Sequence, residues 1–359
     1  MFCRRGVCSA RWFADRLPVS GPRTHSPGST LGEVFQVRAA KQDQGAPHAA
    51  IIPVPQWSLS GHSVVTQWSL SGHSVVSEAG ADDRPCPCLL LRGGERKRSV
   101  YIHASNTSGD HRDLPASFQG RHVRSQPVSW GGFDMVTAER RLYANALIDP
   151  DNRFFVLVSE SCIPLYNFKV VYRYIKRSKY SFMANMEDPM AAITWKPSLA
   201  PEVPIEAWRK GDEWKELHRS MVATLLRDSK YFEKFYAHYG CPSCVWTKGK
   251  GFGDERYMPT LLNMRKPQLL ANRTLTYVDW HSGTAEKFHP KTFSNDDVTV
   301  QALQEIRNLT SCHIHNVPTN PIVDCSLDGV VMPCYLFARK FDAESLPNLL
   351  KVAGVVMQY

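Results

Sequence analysis

From Ser99 onward, apolar positions recur with the periods of regular structure; before it, across residues 1–95, they follow no period of 2 or 3.6. Ser99 to His103 reads as a short strand, and Val128 to Gly132 as another that ends in a turn. Asp134 is placed to cap a helix running through Leu147, with Met135, Ala138, Leu142 and Ala146 along one face. Asp149-Pro150 stops it, because the residue before a proline is pushed out of the helical region. Phe154 to Val158 is an unbroken apolar run, the pattern of a strand covered on both faces. Phe168, Val171, Tyr172 and Ile175 then fall at i, i+3, i+4 and i+7 of a helix. Tyr180 to Met186 returns to strand, Trp214, Leu217, Met221 and Leu225 stripe another helix, and Thr274 to Trp280 and Cys334 to Ala338 are further strands. Strands alternating with helices predict an α/β fold with a mostly parallel sheet flanked by helices. Ligands in such sheets bind beyond the carboxyl ends of the strands. That rule puts Ser159-Glu160-Ser161-Cys162, which ends the apolar run, where a pocket would be.

Residues 1–95 are rich in Ser, Gly, Pro and Arg and predict no folded domain. They contain a tandem repeat of 11 residues, QWSLSGHSVVT at 56–66 and QWSLSGHSVVS at 67–77. Two copies of that length are too few and too short for a stacked repeat fold, so a local duplication or a faulty gene prediction is the expected origin. The sequence therefore divides into an N-terminal stretch of low complexity (1–95), a folded domain (99–345) and a C-terminal tail (346–359).

Charge and cysteines narrow the picture only a little. The net charge of +9 over 359 residues suits an anionic partner, but the basic residues are scattered and Arg96-Lys97-Arg98 and Lys176-Arg177 are short. No basic helix interleaves with aromatics, so no nucleic-acid partner is expected. No stretch reaches the roughly 18 apolar residues of a membrane span, and MFCRRGVCSARWF lacks the apolar core of a signal peptide. Sequons at Asn106, Asn272 and Asn308 favour a secretory lumen weakly. Cys312, Cys325 and Cys334 lie close enough in sequence for a disulfide in an oxidising lumen, and Cys241-Pro-Ser-Cys244 fits a disulfide or free thiols better than half a zinc site.

The run WGGFDMVTAERRLYANALIDPDNRFFVLVSESCIPLYNF resembles the plant branch of the core-2/I-branching β-1,6-N-acetylglucosaminyltransferase family. PEVPIEAWRKGDEWKELHRSMV, GDERYMPTLLN, NRTLTYVDW and CYLFARKF follow in the family's order, and together these blocks cover most of residues 99–345. The resemblance implies a GT-A-like, Rossmann-type nucleotide-sugar transferase fold. It implies inverting transfer of an N-acetylglucosamine, xylose or glucuronic acid unit from a UDP-sugar to a glycan or glycoprotein hydroxyl. It further implies no cofactor and no metal ion, and a Golgi-lumenal type II protein held by a membrane anchor that this chain does not contain. One element has no counterpart: the family's first strand, which helps bind the uridine. A truncated, non-catalytic relative that binds carbohydrate or a partner protein is therefore the alternative.

Inverting transfer needs a carboxylate to take the acceptor's proton and positive charge to hold the departing diphosphate. Glu255, in Gly253-Asp254-Glu255-Arg256, matches the family's base; the residues alone also allow a helix-capping Asp254 followed by an ordinary first-turn acid. Lys340, beside Arg339 in LFARKF, matches the family's diphosphate-binding lysine, and Arg307 is a candidate partner for it. The segment containing NVPTNPIVDCSLDGVVMP is longer than the family pattern, which puts the Arg307 alignment in question. Ser159, Glu160, Asp254 and Trp280 are candidates for the substrate pocket, Trp280 as a flat face for a sugar ring or, equally, as a core tryptophan.

Overall fold

The structure is a computed structural model. It describes residues 64–71, 98–104, 122–129, 131–159, 161–240, 252–280, 290–314 and 320–357, all within the compact unit Ala49–Tyr359. Strands β1 (Val64–Ser71) and β2 (Arg98–Ala104) precede helix α1 (Phe133–Leu147) and strand β3 (Asn152–Ser159). Then come β4 (Ile163–Pro164), α2 (Phe168–Arg177), β5 (Phe182–Met183), β6 (Met186–Glu187) and the short α3 (Ala191–Thr194). Strands β7 (Arg209–Lys210) and β8 (Lys215–His218) lead into helices α4 (Arg219–Arg227), α5 (Lys230–Tyr239) and α6 (Asp254–Arg265). The remainder is β9 (Thr276–Val278), α7 (Val300–Arg307), β10 (Ser311–His313), β11 (Ile322–Asp324), β12 (Ser326–Leu327), β13 (Val330–Val331), β14 (Phe337–Arg339) and α8 (Leu346–Val356).

The main sheet has the order β2-β1-β3-β8-β5, and each neighbouring pair in it is antiparallel. The expected mostly parallel sheet is thus corrected. Following the pairings, β2, β3 and β5 run one way, as α1 and α2 between them require, while β1 and β8 run the other way and are interleaved. The apolar run of β3 reveals that both its faces are covered, but not the direction of its neighbours. Within the stretch read as low complexity, Val64–Ser71 supplies β1, which straddles the junction of the tandem repeat. It enters between β2 and β3 with its direction reversed relative to both.

Both faces of β3 are buried. Val156 and Val158 face a core with Phe168, Val171 and Ile175 of α2 and Leu349, Ala353 and Val356 of α8. Phe155 faces a second core with Phe133 and Val136 of α1, Met221 and Leu225 of α4, and Tyr257 and Leu261 of α6. The helix expected from the stripe beginning at Trp214 starts later: Leu217 lies on β8, and α4 begins at Arg219. A strand and the helix after it share that apolar stripe, which is why periodicity fused them. Val128 and Ser129 lie outside any strand. Among the described residues no helix is long and apolar enough to cross a membrane.

A second, smaller sheet has the order β4-β14-β9, with β14 parallel to β9 and antiparallel to β4. The Phe341 amide donates to the Ser161 carbonyl at 3.0 Å, so the chain leaving β14 abuts the chain leaving β3. Arg339 pairs with Val278, which brings the ends of β14 and β9 to the same edge.

Candidate functional site

Helix α6 starts where Gly253 meets Tyr239 so closely that a Cβ at position 253 would lie 2.7 Å from the tyrosine Cβ. Its first turn carries Asp254, Glu255 and Arg256. A carboxylate is favoured there by the helix dipole and the unsatisfied amides. The sixth residue of the helix is Pro259. Proline has no N–H for the carbonyl four residues back, and its ring crowds that carbonyl. The carbonyl four residues back belongs to Glu255, and it accepts instead from the Gly211 amide at 2.8 Å. Gly211 must be glycine for this approach, since a Cβ would lie 2.4 Å from Pro259 Cγ and 2.5 Å from the Ala184 carbonyl oxygen. At the next residue, Thr260 Oγ1 accepts the Arg209 amide at 3.0 Å. Residues 209–211 are thereby laid along α6.

This arrangement brings Lys210 Nζ to 2.5 Å from Glu255 Oε2, with both side chains about a quarter exposed. Arg256 Nη1 lies 3.5 Å from the same oxygen. The Arg256 guanidinium is itself buried, donating Nε to Asp188 Oδ2 at 2.8 Å and Nη1 to the Phe252 carbonyl at 2.8 Å. Thr194 Oγ1 and Trp208 Nε1 complete the donors to Asp188 Oδ2, at 2.7 and 3.2 Å. Burial alone would raise the Asp188 carboxyl, but the Arg256 charge and these hydrogen bonds outweigh it and hold it below the usual carboxylate range.

Asp212, Glu213, Asp254 and Glu255 belong to a set of acids that act on one another through charge. Lys215 Nζ donates to both oxygens of Glu139, at 3.0 and 2.8 Å, and both side chains are buried. Burial raises Glu139 well above its ordinary value against the pull of Lys215. Asp254 is 5% exposed, and burial with Glu213 and Glu255 nearby raises it well above the carboxylate range. The Asp212 carboxyl is pushed up to about 7 by burial, with Lys215 opposing. Burial favours the neutral forms of Glu139, Asp212 and Asp254 over their charged forms.

The segment from Lys210 to Trp214 links this acid wall to the second sheet. Arg339 Cζ sits 4.0 Å above the Trp214 ring, a contact that fixes a guanidinium without neutralising it. Four Cα steps of 3.8 Å limit the separation of the Lys210 and Trp214 Cα atoms to about 15 Å. Lys340 follows Arg339, its carbonyl accepting the Phe293 amide at 2.7 Å. Half-buried Trp280 lies just beyond the end of β9, at the edge where Arg339 ends β14. Ser159 closes β3, its Oγ 3.1 Å from Ser161 Oγ and 3.4 Å from Cys162 Sγ.

The candidates thus fall into groups. Glu255 and Asp254 share the first turn of α6, and the 210–214 segment connects them to Arg339. Ser159 is linked through Ser161 to Phe341, the residue after Lys340, and Glu160 lies outside the described residues. Arg307 is engaged elsewhere: its guanidinium stacks 4.3 Å from the Tyr166 ring and donates to the Val356 carbonyl. Nothing local in the sequence marks Lys210, Gly211 and Arg256 as site residues. The proline inside the α6 pattern signals a freed carbonyl, but the partner of that carbonyl is 44 positions away.

The core-2/I-branching enzyme family profile matches residues 91–307, and the chain belongs to that family. It is 33% identical over 288 residues to Glycosyltransferase BC10 of Oryza sativa subsp. japonica, a match covering 74% of this chain and 71% of that protein. The family match takes in Glu255, Lys210 and Arg307; Arg339 and Lys340 lie beyond its end.

Proposed function

We propose that this chain is an inverting glycosyltransferase of GT-A-like architecture, taking a sugar of the N-acetylglucosamine, xylose or glucuronic acid type from a UDP-sugar to a hydroxyl of a glycan or glycoprotein in the Golgi lumen. The observation that carries the reading is the state of Glu255. It is an open carboxylate at a helix start, backed by buried acids and held by Lys210. In this reading the acceptor hydroxyl hydrogen-bonds to Glu255, which takes its proton as the oxygen attacks the anomeric carbon in line with the departing diphosphate. The charge developing on the diphosphate is met by the Lys340 ammonium and the Arg339 guanidinium rather than by a metal ion. Trp280, at the same edge, offers its ring face to a sugar. Family membership supports glycosyl transfer, and the strand-helix alternation from β2 to β5 supports a nucleotide-sugar frame.

The test is Glu255→Gln. Transfer from the accepted UDP-sugar should fall by about a hundredfold or more, the scale of a lost general base, while UDP affinity measured by calorimetry stays within twofold. Collapse of UDP affinity along with transfer would remove the base role. Tight UDP binding by a wild-type chain that transfers none of the three sugar types would favour a non-catalytic relative that binds carbohydrate.

A further inference from the structure

We infer that Lys210, Gly211 and Pro259 are positioning residues that hold the Glu255 carboxylate in its working orientation. The inference rests on the proposed role of Glu255. Pro259 withdraws the helical partner of the Glu255 carbonyl and crowds that carbonyl away from the axis. The freed oxygen is taken by the Gly211 amide at 2.8 Å. Gly211 can come this close only without a side chain, because Pro259 and the Ala184 carbonyl fill the space of a Cβ. Thr260 takes the Arg209 amide at 3.0 Å, so the segment is fastened on both sides of Lys210. The result is that the Lys210 ammonium meets Glu255 Oε2 at 2.5 Å.

The device differs from an ordinary surface ion pair in one respect. A lone exposed pair orders two flexible side chains and gains little. Here the backbone of both partners is fixed before the side chains meet, so the carboxylate loses rotamer freedom that a base does not need. A carboxylate displaced by about an ångström costs up to a hundredfold in rate, so orientation is where this contact acts.

Pro259→Ala restores an N–H to the helix and relaxes the Glu255 carbonyl toward the axis. The expected result is a thermal midpoint equal to or above wild type, UDP affinity within twofold, and kcat lower by about tenfold or more. Lys210→Met should lower kcat to a similar extent, and Lys210→Arg should recover most of it. The double variant Pro259→Ala/Lys210→Met should lose no more than the larger single loss, because both act through one carboxylate. Wild-type kcat in both single variants, or losses that multiply in the double, would overturn the inference. Glu255→Gln run beside them separates the failures. If that variant retains transfer, the role of Glu255 is wrong; if it is inactive while the other two are unaffected, only the positioning is wrong.

Discussion

Arg256 donates its Nε to Asp188 Oδ2 at 2.8 Å with neither side chain more than 3% exposed. The pair ties the first turn of α6 to the loop before α3, directly behind Glu255. Breaking a buried pair from one side leaves an uncompensated charge and costs about 3–5 kcal/mol. Arg256→Met should therefore lower unfolding stability by that amount in a denaturant titration. Asp188→Asn added to it should recover part of the loss, since the remaining amide can still accept from Thr194 and Trp208 while carrying no charge.

The same pair predicts a pH response. Asp188 is held below its ordinary value in the folded chain, so its contribution is complete above the unfolded carboxylate value near 3.8 and is lost only as pH falls through the lower folded value. Asp188→Ala should be equally destabilising at pH 7 and pH 5, with the gap to wild type narrowing only below about pH 4. Thermal unfolding across that range measures it, and a gap that closes between pH 7 and pH 5 would contradict the assignment.

Asp212 works in the opposite sense. Its folded value is raised from 3.8 to about 7, so the folded chain holds a proton that the unfolded chain has released. The stability this contributes is complete below about pH 4 and lost as pH rises to about 7, then level. The Lys215 charge opposes this rise in the Asp212 value, and the Glu213 and Glu255 charges add to it. Asp212→Asn should flatten the fall in thermal midpoint between pH 4 and pH 7 without abolishing it. Glu139, Glu216 and Asp254, raised in the same direction by burial, remain.

What the sequence could tell follows from how far apart the interacting residues are. Helix α2 was legible because its buried residues Phe168, Val171 and Ile175 recur at helical spacing within ten residues. Strand β3 was legible as a strand, but its neighbours were not, because β1 and β8 reach it from positions some sixty to ninety residues away. Glu255 was legible as an acid in a family motif. Its lysine was not, since nothing local distinguishes Lys210 from a solvated charge until Gly211 and Pro259 are seen to interlock. Arg307 shows the converse: a charge chosen by alignment is occupied by Tyr166 and the end of α8.

The proposed handling of the diphosphate makes a prediction about ions. If Lys340 and Arg339 carry the charge, EDTA should leave the rate unchanged, and Lys340→Met should weaken UDP binding by about ten- to a hundredfold, the scale of a charged hydrogen bond worth 1.5–3 kcal/mol. Raising salt should weaken UDP binding in the wild type more than in that variant, because screening acts on a charge the variant has lost. Complete loss of transfer with EDTA, restored by a divalent ion, would refute the metal-free reading.

Cys325 and Cys334 form a disulfide that fastens the residue after β11 to the chain three residues before β14. The Cys312 thiol on β10 lies 3.8 Å from Cys325 Sγ, and the three sulfurs fall within 4.8 Å of one another in a buried cluster. Closing a loop of this size contributes about 2–3 kcal/mol, so Cys334→Ser should lose stability of that order if Cys325 is left free. It should not be left free. Refolded in a glutathione redox buffer, the variant should join Cys325 to Cys312, giving a crosslinked peptide under non-reducing mass spectrometry, and should regain part of the lost stability. Cys312→Ser added to it should remove both the crosslink and the recovery. A Cys334→Ser protein that retains two alkylatable thiols at 312 and 325 after such refolding would mean that the third sulfur, although in contact, is held out of line for attack.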